Sequence, residues 1–226
     1  MNNNHYQLLL FCIEQDNNKL WNKIKKQCDK NGIKIDLSNS NLRGFNLCNF
    51  NFRCVNLSYS NLRCVNLSNS NLRGSNLYGS DLSGSNLNCI DLRGTNLSNS
   101  NLSSSNLRNS NLSSSNLRNS NLSSSILRGS NLQSTNLNNV NLNGTNLSNI
   151  NLNSSNLKYI KLFVYKFEII MIKDQIQIGY ERHSVKEWKD FTDEEINGMH
   201  RITSEWWNKN KIDILNMYSN FVNFDV

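Results

Sequence analysis

No proline and no alanine occur in the 226 residues of this chain, and histidine occurs only three times. Without alanine the aliphatic content is nearly all leucine and isoleucine, while 46 asparagines and 31 serines make up one third of the residues. That composition excludes a large core packed from conventional layers of helix and sheet, so any core must be narrow. His5, His183 and His200 are too scattered for a metal site or a catalytic triad, and no nucleophile motif accompanies them. Cys12, Cys28, Cys48, Cys54, Cys64 and Cys89 form no C-x-x-C pair, which argues against zinc and fits a reducing compartment. Long apolar runs are missing too. Residues 8–13 are too few to span a membrane and lack the charged start and cleavage site of a signal peptide. The expectation is a soluble, cytoplasmic protein with no membrane partner, no metal and no cofactor, in which the Asn-Leu-Ser sequons go unglycosylated. Losing alanine and proline while gaining asparagine, lysine and isoleucine is also what AT-rich coding does, so part of the bias is mutational.

What is present is a period of five. From Leu37 to Leu162 in steps of five, every position is leucine except Phe52, which makes 26 consecutive pentads. The residue before each leucine is Asn or Asp except at Ile126 and Lys161, and the residue two before it is mostly serine. The consensus reads S-N-L-x-x.

Five matches neither 3.6 nor 2, which rules out both a helix and a long strand. Within a pentad the serine and leucine are two apart, so in an extended segment they share one side while the asparagine takes the other. The two remaining residues must turn the chain. Four such corners close a square coil, and successive coils pair as parallel strands with residues twenty apart stacked. At about 4.8 Å per coil the repeats make a rod roughly 31 Å long. Leucine and the small residue face inward; asparagine and the turn residues face water.

Residues 36–161 resemble the pentapeptide repeat family, whose pattern is A-(D/N)-L-x-x. The resemblance implies an all-β solenoid, a right-handed quadrilateral β-helix, over just over half of the chain. Serine stands where that family prefers alanine, and each inward hydroxyl must find a backbone carbonyl to avoid a desolvation cost. Some members of the family imitate the DNA duplex and inhibit DNA gyrase with an acidic rod. This rod is basic, so that activity is not carried over.

The chain divides into an N-terminal segment with a capping helix (1–35), the β-helix (36–162) and a C-terminal β-hairpin plus helices (163–226). A solenoid needs capped ends. Leu20, Trp21, Ile24 and Cys28 share one helical face and Asn31-Gly32 supply a stop, which places a helix at 17–31. Trp21-Asn22-Lys23 followed by residues 33–37 is similar to the lead-in of many pentapeptide repeat proteins. After the repeats, 165–172 and 175–180 read as two strands joined at Lys173 and Asp174. Capping boxes follow at Ser184/Glu187 and Thr192/Glu195, and Ile196, Met199, Ile202 and Trp206 make an apolar stripe along the second helical stretch. Residues 176–188, with Gly179, His183, Glu187 and Trp188, are similar to a C-terminal segment of some bacterial, phage and giant-virus pentapeptide repeat proteins, a likeness that implies no activity.

The acidic group Asp190, Asp193, Glu194 and Glu195 is what a helix macrodipole favours in a first turn. Gly74, Gly79 and Gly84 recur at pentad spacing, where they relieve turn strain and spell no phosphate loop. Cys54 and Cys64 lie half a coil apart on opposite faces, a poor disulfide. Charge is more telling. The net +7 divides as +3 over residues 1–35, +6 over 36–160 and −2 over 161–226. The rod's arginines follow the leucine and point outward: Arg53, Arg73 and Arg93 form one ladder, Arg43 and Arg63 lie opposite, and Arg108 with Arg128 make a third column. Such ladders either contact phosphates or keep a rod of Asn and Ser in solution. Missing aromatic stacking partners on the Arg53 face favour solvation.

The function expected is a non-enzymatic structural or protein-interaction scaffold with an unidentified protein partner. The C-terminal module would choose that partner, with His183, Glu187, Trp188, Trp206 and Trp207 as candidate contacts, and it leaves homo-oligomerisation open. The alternative is an anion or nucleic-acid binding rod using the arginine ladders. An enzyme housed in the C-terminal module, resting on His183, Glu187 and Trp188, is the weakest reading.

Overall fold

The computed structural model describes residues 3–146, 150, 155, 160–164, 167–172, 175–199 and 201–222. The pentads of Leu147, Leu152 and Leu157, together with Tyr165, the Lys173-Asp174 turn and His200, lie outside the described residues. Parallel bridges join residues twenty apart from Asp36↔Asn56 to Ile126↔Asn146, one in every pentad. A two-residue turn follows each leucine, so four corners make one coil and the coils stack in register.

Each backbone amide of a pentad has a defined destination. In the first, Leu37 N–H donates to Asn56 of the next coil at 2.7 Å, Asn39 N–H to Ser58 of that coil at 2.9 Å, and Ser40 N–H closes the turn on Leu37 at 3.3 Å. Asn56 N–H reaches back to Ile35 of the preceding turn at 3.1 Å. One amide is left, that of the residue just after the leucine. The side chain before the leucine takes it: Ser38 N–H donates to Asp36 Oδ1 at 2.9 Å and Arg73 N–H to Asn71 Oδ1 at 3.0 Å. The Asn or Asp is therefore the acceptor that the backbone cannot supply. Its amide also ties coil to coil, as Asn76 Nδ2 donates to Asn56 Oδ1 and Asn96 Nδ2 to Asn76 Oδ1, both at 3.2 Å. Between Asp36 and Asn146, Ile126 alone carries no such oxygen, and it is 40% exposed.

The second turn residue has positive φ throughout, from Asn39 (57°) to Gly144 (66°). With the turn-closing hydrogen bond, this is the pattern of a type II turn. Inside, the leucines are fully buried, and Phe52 fills the one exception against Phe50 and Trp21. The inward hydroxyls divide. Ser60, Ser70, Ser80, Ser85, Ser100, Ser105 and Ser125 donate to the leucine carbonyl three residues earlier at 2.5–2.7 Å. Ser40, Ser75, Ser110, Ser115, Ser120 and Ser130 find no partner among the described residues.

Two helices precede the rod, α1 (Asn3–Glu14) and α2 (Asn18–Lys30). The sequence reading did not anticipate α1, whose apolar residues run together and carry no capping signal. Side chains of both reach the outer edge of the first coil, where no earlier strand can pair. Trp21 Nε1 donates to Asn51 O (2.8 Å), Asn22 Oδ1 accepts from Asn51 N–H (2.7 Å), and Tyr6 OH donates to Asn41 O (2.7 Å).

After the rod come β1 (Ile160–Val164), β2 (Phe167–Ile172), β3 (Gln175–Ile178) and β4 (Glu181–Ser184), an antiparallel sheet in chain order. Two of these strands lie outside the hairpin read from the sequence. Ile160–Val164 still follows pentad spacing at Leu162, and Glu181–Ser184 is polar and half exposed. Phe167, Ile169 and Met171 alternate inward against Ile176 and Ile178. α3 (Val185–Asp190) and α4 (Asp193–Gly198) each open on a complete capping box, Ser184/Glu187 and Thr192/Glu195. α5 (Ser204–Val222) buries Trp207, Ile214 and Tyr218. The Ile196–Trp206 stripe is not one helix. α4 stops at Gly198, Met199 is extended and Arg201 takes φ 68°, so Ile196, Ile202 and Trp206 reach the core from three separate segments.

Replacing Leu97, which is fully buried, by alanine should cost about 2–5 kcal/mol in urea unfolding followed by far-UV circular dichroism. Ile126→Asn should do the opposite and raise stability by about 0.5–1.5 kcal/mol, because it restores the acceptor for the Arg128 amide. Backbone and hydroxyl donors hold the carboxyls of Asp36, Glu187 and Glu195 below the usual range: Ser38 N–H for Asp36, the Ser184 hydroxyl and amide for Glu187, the Thr192 amide and hydroxyl for Glu195. The folded chain therefore binds fewer protons there than the unfolded chain. Their stabilisation is complete above the ordinary carboxylate pKa of about 4 and is lost as pH falls through the lower folded values. Unfolding midpoints should accordingly drop on acidification below about pH 4; a flat profile would contradict the assignment.

Candidate functional site

Every rod arginine occupies the first turn position, so the columns run along the corners of the coil and not along its flat sides. Arg53, Arg73 and Arg93 share one corner, Arg43 and Arg63 the diagonal one, and Arg108 with Arg128 a third. Arg118 stands on the fourth corner. It follows Leu117 by the same spacing rule but was not singled out in the sequence.

The columns differ in charge compensation. Arg93 forks onto Asp91 with Nε at 2.8 Å and Nη2 at 2.6 Å, and this hydrogen-bonded fork holds the Asp91 carboxyl below the usual range. Arg63 lies 3.7 Å from Asp81. At the positions matching Asp91, Arg53 and Arg73 have the neutral Asn51 and Asn71, and among the described residues neither makes an ion pair. Beside this column the second turn residues are small: Cys54, Gly74, Gly94 and Ser114. The result is a shallow trough of about 380 Å³ along the three arginines.

The adjoining corner is aromatic. In the coil of Asn56, turn 53–54 lies before the bridge residue and turn 58–59 after it; in the coil of Asn76 the turns are 73–74 and 78–79. One flat side of the rod is thus bordered by Arg53 and Arg73 along one edge and by Tyr59 and Tyr78 along the other. The sequence reading missed this because it looked for aromatics within the arginine column, whereas the two groups meet only across one side of the coil. The tyrosine rings pack edge to face at 5.3 Å, and Tyr59 is 60% exposed. Tyr59 holds a φ of 57°, costly for a bulky side chain. Gly79 lies beneath its ring, where a Cβ would come within 2.9 Å of two ring carbons. Between the two edges the Asn56 and Asn76 amides are consumed by their own turns and by the ladder.

The C-terminal candidates group differently. Trp188 and Trp207 are buried, with ring centroids 5.0 Å apart, and Trp188 Nε1 donates to Ile176 O at 2.7 Å. They form the module's core and offer no surface, which corrects their reading as partner contacts. Trp206 packs on Phe167 at 4.6 Å. His183 sits edge-on between Trp188 (5.3 Å) and Phe191 (4.9 Å), its Nε2 3.7 Å from Glu181 Oε2. Glu187 serves the α3 capping box. The six cysteines are free thiols. Among the described residues no group of three His, Cys, Asp or Glu converges to hold a metal ion, and no helix is long and apolar enough to cross a membrane.

Gly94 and Gly79, both at the second turn position, provide a comparison. A Cβ at Gly94 meets nothing within 4 Å, whereas at Gly79 it strikes the Tyr59 ring. Gly94→Ala should therefore cost only the left-handed backbone term of about 1–2 kcal/mol. Gly79→Ala should cost measurably more in the same urea titration and shift the tyrosine emission, with equal losses as the contrary result.

The pentapeptide repeats family model matches in eight copies over residues 34–63, 51–88, 60–99, 90–129 and 130–162, more than half of the chain. No curated protein matches the sequence. Among solved structures, the pentapeptide repeat protein Rfr23 from the cyanobacterium Cyanothece 51142 is 38% identical at a TM-score of 0.40. That match covers 40% of this chain, which spans 62% of Rfr23. HetL, a pentapeptide repeat protein involved in heterocyst differentiation regulation from Nostoc sp. PCC 7120, is 22% identical at a TM-score of 0.34, covering 54% of this chain and 78% of HetL. A pentapeptide repeat protein of the Arabidopsis thaliana thylakoid lumen is 30% identical at a TM-score of 0.27, covering 46% of this chain and 66% of that one. Pentapeptide repeat proteins fold as right-handed quadrilateral β-helices, the arrangement that the stacked four-cornered coils take here. The chain belongs to the pentapeptide repeat family.

Proposed function

We propose that this protein is a non-enzymatic interaction scaffold in which the rod is a rigid spacer and the C-terminal module engages a protein partner. The observation that carries the reading is where the polar groups go. The asparagine oxygens are committed to turn amides and ladder bonds, and many of the serine hydroxyls to carbonyls, so the rod's chemistry maintains the rod. The module leaves Tyr180 (79%) and Ile212 (71%) exposed outside its aromatic core, more than the 60% of Tyr59 on the rod. Large exposed apolar side chains of this kind are the usual anchors of a protein interface. On this reading α1 and α2 close the first coil by supplying Trp21, Asn22 and Tyr6 to its unpaired edge, which protects it from strand addition.

Photo-crosslinking residues placed singly at Tyr180, at Ile212 and at Asn99 on the rod test this in cells that make the protein. The expected result is a discrete crosslinked protein from the two module positions and none from Asn99. Crosslinks spread evenly over all three, or none at any, would overturn the reading.

A further inference from the structure

We infer that the side of the rod between the Arg53/Arg73 corner and the Tyr59/Tyr78 corner is a binding face for single-stranded nucleic acid, read without sequence preference. This ligand is additional to the protein partner proposed above, and either reading can fail alone.

The first argument is electrostatic. Arg53 and Arg73 stack one coil apart, about 4.8 Å, and among the described residues neither makes an ion pair, although the Asp91 carboxylate also feels the charge of Arg73. Like charges this close are retained at low cost only when an anion or solvent screens them. Arg93, on the same corner, is paired with Asp91, which also partly offsets Arg73, so the open positive charge rises towards Arg53.

The second argument is aromatic. Tyr59 is held in a strained turn conformation over a glycine that its ring requires, and it projects beside Tyr78 from a surface otherwise built of Asn and Ser. The strands between the two corners span roughly 10 Å at 3.3 Å per residue, a separation that one nucleotide bridges with its phosphate on arginine and its base on a tyrosine. Positive groups tracking a backbone beside aromatic platforms are how sequence-tolerant single-strand binders work.

The third argument concerns what lies between. The Asn56 and Asn76 amides are already hydrogen-bonded, so they have little left to read base edges with. The side is also flat and has no apolar floor. A protein partner would need a desolvated apolar centre there, and a duplex would keep its bases away from the tyrosines. A single strand needs neither.

The test is fluorescence anisotropy of the full chain with labelled oligo(dT), oligo(U) and a duplex of equal length, titrated with salt, and with poly-glutamate as competitor. The substitutions are benign by design, since serine already fills both turn positions elsewhere in the rod. Single strands should bind more tightly than the duplex. Tyr59→Ser with Tyr78→Ser should weaken them about tenfold or more. Arg53→Ser with Arg73→Ser should lower the slope of log affinity against log salt by about 1.4, from two phosphate contacts at about 0.7 each. Asp91→Asn keeps the turn acceptor, releases Arg93 and should tighten binding. No binding at low salt overturns the proposal. So do duplex binding equal to single-strand binding with the tyrosine variant silent, which marks unspecific charge, and displacement by poly-glutamate with the tyrosine variant silent, which marks an acidic protein segment.

Discussion

The rod depends on one hydrogen bond repeated in nearly every pentad, from the amide just after the leucine to the side-chain oxygen just before it. Backbone carbonyls of the same or neighbouring coils take the other four amides of the pentad. This fifth amide sits at the corner, where the chain has turned away from any strand. Left unpaired at every corner, it would accumulate a desolvation cost over the whole rod. Asn and Asp make this bond to the amide two residues on better than Ser or Thr, and the two interchange at Asp36, Asp81 and Asp91.

The same asparagine carries a second load through its Nδ2, which bonds the neighbouring coil. Coil stacking therefore has side-chain ladders running parallel to the backbone bridges, and the outer wall is rigid and chemically quiet. This gives the asparagine content a structural cause beyond codon bias. It also explains where function can enter: at the two turn positions, whose side chains the repeat does not require, although Asn99, Asn119 and Asn139 there form a ladder of their own. Arginine, tyrosine, cysteine and glycine are concentrated there, so the corners are the variable surface on a constant frame.

The C-terminal module follows different physics. Its core is aromatic, joining Phe167, Trp188, Phe191, Trp206 and Trp207 across a four-stranded sheet and three helices. Residues that look like exposed recognition groups in the sequence, Trp188 and Trp207 above all, are spent on that core. In so small a module the large rings add to the area buried by Ile169, Met171, Ile176, Ile178, Ile196 and Ile214, which alone would make a thin core.

By itself the sequence determined the period, the twenty-residue coil, the inward leucine and serine, and the outward arginine columns, because a register that never slips sets the size and facing of the coil, though not its hand. It also marked both capping boxes, since those depend on residues three apart. What only the tertiary structure decided is anything that joins residues distant in the chain or that rests on a backbone dihedral. Asp91 pairs with Arg93 but makes no ion pair with Arg53 or Arg73, a difference that becomes visible once the corner is built. Tyr59 and Tyr78 face Arg53 and Arg73 across one side of the coil, although the tyrosines stand outside the arginines' column. α1, the outer strands β1 and β4 and the break at Gly198 were hidden because each is set by packing and by the φ of single residues, which no local apolar period records.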